Sequence, residues 1–80
     1  MKLTELNPKI EKHGEYEHLA FDCPKCQKHR IEIPLPPHPK AWGFQGNSFD
    51  NYTLNPSIAH KSHTDCDSHF FIQGGEIKMV

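Results

Sequence analysis

Cys23-Pro24-Lys25-Cys26 and Cys66-Asp67-Ser68-His69 put three thiols and one imidazole into two short clusters. Two ligands separated by two residues can face one ion from a tight turn, because the chain reverses between them. Together the clusters supply a Cys3His tetrahedron, the closed donor set of structural zinc. The spacing therefore predicts one Zn2+ held by Cys23, Cys26, Cys66 and His69. A [2Fe-2S] cluster is the alternative occupant, since thiolates with an imidazole also hold two-iron centres. Plain buried thiols, or one disulfide with a spare, are the bland reading. The odd cysteine count and the tightness of Cys-Pro-x-Cys argue against a disulfide framework.

Other arrangements of the same residues would do different chemistry. Cys26 or Cys66 as nucleophile with His63 or His69 as base would make a thiol hydrolase, but ligated groups are neither free nor basic. Without His69, the three cysteines would leave an open, catalytic zinc position. His60 and His63 read as surface residues, and His13, His18, His29 and His38 show no grouping. The hydroxyls of Thr53 and Ser57 read as turn caps. No catalytic residue is expected.

The 80 residues, 35% of them hydrophobic, allow one domain with a limited core. A chain that small needs a staple, and structural zinc supplies about 10 kcal/mol or more, as much as the net stability of a small domain. Nine basic residues against ten acidic give a net charge of −1. Nucleic acid is not indicated by that balance, although Lys25, Lys28, His29 and Arg30 gather at the first cluster. No signal-like or membrane-spanning apolar run is present, and free thiols suit a reducing cytoplasm.

The elements that must position the ligands read as β structure. Residues 1–15, broken by Asn7-Pro8 and Gly14, read as a flexible or weakly structured lead-in, and 16–80 as the metal-stapled domain. Residues 16–22 fit a strand entering the first cluster, and 29–33 alternate so that Ile31 and Ile33 face inward. Pro34, Pro36, Pro37 and Pro39 make an extended connector. Trp42 reads as a core anchor and Gly46-Asn47-Ser48 as a turn. Residues 51–54 are strand-like, Asn55-Pro56-Ser57 a turn, and the apolar runs flanking Gly74-Gly75 a hairpin. The expectation is an all-β domain of five or six short strands.

Cys23-Pro24-x-Cys26, Trp42, Thr53-Leu54-Asn55-Pro56-Ser57-Ile58 and Cys66-x-x-His69-Phe70-Phe71-Ile72-x-x-Gly75-Glu76-Ile77 resemble a family of small phage and bacterial proteins often labelled "ammonia monooxygenase". The likeness runs from about residue 21 to the C-terminus. It implies a metal-binding β domain of phage or mobile-element origin in a bacterial cytoplasm. It does not imply the labelled activity, which needs membrane spans. A looser similarity is to Rieske domains, but those take one histidine from each loop, and here the first loop offers Cys23 and Cys26. The functional expectation is a structural-zinc module that docks a protein partner through the 34–39 connector with Trp42, or through 53–58. A Rieske-like electron carrier is the alternative, and a zinc hydrolase is less favoured.

Overall fold

The computed structural model describes residues 1–61 and 66–80. A short 3-10 turn, Leu3–Leu6, precedes seven strands: β1 (Lys9–His13), β2 (Tyr16–Asp22), β3 (Arg30–Pro34), β4 (Gly43–Gln45), β5 (Thr53–Lys61), β6 (Asp67–Gln73) and β7 (Glu76–Met79). The domain is all-β, as expected. The strands form two antiparallel sheets, ordered β1-β2-β3 and β4-β5-β6-β7.

Alternation decides the inward faces. In β6 Ser68, Phe70 and Ile72 are buried while Asp67, His69, Phe71 and Gln73 point out. In β3 Ile31 and Ile33 are buried, as their spacing requires. Leu19, Phe21, Ile31 and Ile33 of one sheet belong to the same core cluster as Leu54, Ile58, Phe70 and Ile72 of the other. The rings of Phe21 and Phe70 meet edge to face at 6.0 Å, tying β2 to β6. Each such side chain contributes about 1.5–3 kcal/mol when fully buried.

Residues 1–15 are not a loose lead-in. Leu3 and Leu6 are fully buried in the core, the Leu3 amide donates to the Gly75 carbonyl, and β1 pairs with β2 along its length. Nor does Asn55-Pro56-Ser57 turn the chain. β5 runs straight through it, with a register shift against β6 between Leu54 and Ile58. Proline is tolerated there because it falls within the register shift against β6, where the regular ladder is interrupted. The β6–β7 hairpin turns at Gly74-Gly75, as the sequence predicts. Glycine is required at 75, where φ is +78° and a Cβ would collide with the Asp50 carbonyl.

Candidate functional site

The first cluster lies in the loop between β2 and β3. The Gln27 amide donates to the Cys23 carbonyl and the Cys23 amide to the His29 carbonyl, both at 2.9 Å, folding the loop back on itself. This brings Cys23, Cys26 and His29 to Cys66, which immediately precedes β6, with their ligand atoms all within 4.8 Å of one another. Such a group could hold a metal ion. The Cys23 and Cys66 sulfurs are 3.8 Å apart, matching the ~3.8 Å edge of a tetrahedron with ~2.3 Å metal–sulfur bonds. His29 Nδ1 lies 3.2 Å from Cys26 Sγ. The Lys25 ammonium donates to the Asp67 carbonyl at 2.9 Å, clamping the loop onto the start of β6.

The electrostatics of the Cys23 thiol suit ligation. Burial pushes the Cys23 thiol up, but hydrogen bonds from Ser68, from the Cys26 and Lys25 amides and from Cys66 outweigh it and bring the group down to about 7. Ser68 Oγ is 2.8 Å from that sulfur, an outer contact of the kind that orients a ligand. Burial, then the Cys26 and Cys23 thiols, push Cys66 up.

The imidazole of this group is His29, not His69. The available signal was Cys23-x-x-Cys26-x-x-His29, three donors at equal intervals in one loop. His69 points out from the opposite face of β6, and its Nε2 is 2.8 Å from Ser57 Oγ. Ala59 pairs with His69, so Ser57, two residues back on the same face of β5, is its diagonal neighbour. Ser57 is therefore not a turn cap. In the tautomer protonated at Nδ1, the Ser57 hydroxyl donates to Nε2, as a serine nucleophile does to its base. The Ser57 carbonyl accepts from Trp42 Nε1 at 3.4 Å, so Trp42, packed against the core, also fixes the backbone here. A cleft of about 240 Å³ lined by Ala59, His60, Asp67, Ser68 and His69 opens beside His69, and Ser57 is not part of its lining.

The remaining histidines are placed differently from the sequence reading. His60 is partly buried and stacks on His29 with ring centres 5.2 Å apart, and burial, then the neighbouring His29, lower its pKa. His63 lies outside the described residues. His18 sits between His13 and His38, edge-on to each, and His13 Nε2 is 3.2 Å from Glu11 and 3.7 Å from Glu32. Pairing of β1 with β2 brings His13 to His18, while His29 and His38 reach their neighbours from loops, so linear spacing did not reveal these groupings.

A family model described as bacterial ubiquitination-like system serine protease (BubE) matches residues 2–80. The chain belongs to that family. No curated protein and no solved structure matches it. The match overturns the expected role as a non-enzymatic structural-zinc docking module, and it supports neither the electron carrier nor the zinc hydrolase. It agrees with a bacterial system and implies protein partners. Among the described residues no helix is long and apolar enough to cross a membrane.

Proposed function

We propose that this protein is a serine protease of a bacterial ubiquitination-like system, with Ser57 as nucleophile and His69 as general base. The observation that carries the reading is the 2.8 Å Ser57 Oγ–His69 Nε2 hydrogen bond on an exposed sheet face of a chain whose family is named for this chemistry. Ser57 Oγ attacks a peptide carbonyl while His69 Nε2 takes the hydroxyl proton. The C–N bond then breaks, His69 returns the proton to the departing amine, and water hydrolyses the ester to restore Ser57. Among the described residues no carboxylate is hydrogen-bonded to His69, so the described geometry is that of a dyad.

The metal group serves the same site indirectly. Zn2+ held by Cys23, Cys26, Cys66 and His29 would pin the β2–β3 loop to the start of β6, two residues before the outward-facing His69. All four ligand positions are then filled by protein, so the ion takes no part in bond cleavage. Free thiols of this kind fit a bacterial cytoplasm. The substrate or partner is a protein of the ubiquitination-like system, cut at a peptide bond.

A fluorophosphonate probe tests the dyad directly, because it phosphonylates only an activated serine. The wild-type protein should label at Ser57, mapped by mass spectrometry, and Ser57→Ala and His69→Ala should not label. Labelling that persists in His69→Ala at the wild-type rate, or no labelling of the wild type, would refute the assignment.

A further inference from the structure

We propose that Glu11, His13 and Glu32 form a second metal site, an open one on the outer face of the three-stranded sheet, which takes a divalent first-row cation. It shares no residue with the cysteine group or with the serine–histidine pair and stands independently of both.

Strand alternation puts the donors on one face. Ile31 and Ile33 of β3 are buried, so Glu32 between them points away from the core. Leu19 and Phe21 of β2 are buried as well, which turns His18 to the outer face. Glu11 pairs with His18 and His13 follows Glu11 by two residues, so both β1 groups share that face. There the side chains meet. His13 Nε2 is 3.2 Å from Glu11 Oε1 and 3.7 Å from Glu32 Oε1, and the three donor atoms all lie within 4.8 Å of one another. His13 ends β1 at the turn into β2, whereas the cysteine loop leaves the other end of β2.

A proton alone does not account for this convergence. Nε2 carries at most one N–H, and one N–H serves one carboxylate. Both separations also exceed the ~2.7–2.9 Å of a charge-assisted N–H···O bond. They bracket instead the about 3.4 Å between two donors on a tetrahedral ion with ~2.0–2.1 Å bonds. A second observation lies beside the group. His18 Nδ1 is buried and, among the described residues, has no hydrogen-bond partner, although a buried polar nitrogen left unpaired is costly. The His18 ring is edge-on to His13 with centres 5.0 Å apart, and His38 covers it at 5.8 Å. A cation held by the two carboxylates gives that nitrogen a position to fill as a fourth donor. Imidazole with carboxylates and no thiolate suits Mn2+ and Zn2+. Two carboxylates neutralise the ion, and because His13 and Glu32 are exposed, water completes its shell. The bound ion ties the edge strand β1 to β3 across β2.

The test uses the full chain with its cysteine group filled by one equivalent of zinc. Mn2+ is the probe, because it stands lowest in the affinity order of these ions and does not displace thiolate-bound zinc. Titration followed by the electron paramagnetic resonance of free Mn2+ should show one ion taken up per chain, with enhanced water-proton relaxation from its open positions. Glu11→Gln, Glu32→Gln and His13→Ala should each weaken uptake at least about tenfold, since loss of even an outer partner of a metal ligand costs that much. Glu15→Gln, which removes an exposed carboxylate in the adjoining turn, should leave uptake nearly unchanged. With Mn2+ about a hundredfold above its dissociation constant, the melting temperature of the wild type should rise by about 10 °C or more, and that of the Glu11→Gln, Glu32→Gln double variant should not. No uptake at millimolar Mn2+ overturns the site. Uptake that Glu15→Gln weakens as much as Glu11→Gln overturns it too, by showing diffuse attraction to surface charge.

Discussion

His29→Ala and His69→Ala separate the two imidazoles, which the sequence alone invites one to exchange. If His29 is the fourth ligand, its removal leaves three thiolates and weakens a bond network whose total is about 10–16 kcal/mol for structural zinc, so about 3–4 kcal/mol per ligand and a 10²- to 10³-fold loss of affinity. With metal in excess of both dissociation constants, stability falls by the same amount, because metal bound only to the folded state stabilises it logarithmically in affinity. At about 4–8 °C per kcal/mol for a domain of this size, the melting temperature drops by at least ~12 °C. His69→Ala loses one exposed hydrogen bond, with its partner Ser57 free to turn to water. That costs about 1 kcal/mol or less and leaves the metal in place. Elemental analysis after dialysis, competition with a chromogenic chelator and a thermal melt on each variant measure all three quantities. Metal retained at wild-type affinity in His29→Ala, together with metal lost in His69→Ala, would refute the ligand set and the division of the sheet into a metal face and a dyad face.

Three further outcomes follow from the same geometry. Ser57→Ala should abolish proteolysis and shift the melting temperature by only a few degrees, measured by peptide cleavage and calorimetry, because the side chain is solvent-accessible and makes one hydrogen bond. The Asp22 carboxyl is held below its usual 3.8 by hydrogen bonds from Asn7 and Arg30. Its contribution is thus complete above that value and is lost as pH falls through the lowered one. Asp22→Asn should be less stable than wild type at pH 7 in urea titrations, and the difference between the two proteins should shrink only below about pH 4. Gly75→Ala should destabilise by about 2 kcal/mol or more in the same titrations, since the new methyl meets the Asp50 carbonyl at a positive φ.

What the sequence made legible is what local periodicity encodes. Alternation around Ile31 and Ile33, the Gly74-Gly75 hairpin and the convergence of Cys23 and Cys26 all depend on residues within a few positions of one another, where strand pleat and turn chemistry act directly. The N-terminal residues misled because Leu3 and Leu6 carry no period. They are held by partners far along the chain, the Gly75 carbonyl among them, which no window around them contains. The dyad was illegible for a different reason. Ser57 and His69 are twelve positions apart on neighbouring strands, and they meet only because β5 carries its proline through a register shift and pairs Ala59 with His69. A histidine three residues after a cysteine fits a metal loop in linear spacing. Which side of β6 it faces is fixed by the burial of Ser68 and Phe70 on either side of it. That alternation was already present in Ser68-His69-Phe70-Phe71-Ile72. Had it been applied to His69 itself, it would have set the imidazole on the outer face, away from the buried thiol of Cys23 and on the side of the strand where chemistry on a substrate can occur.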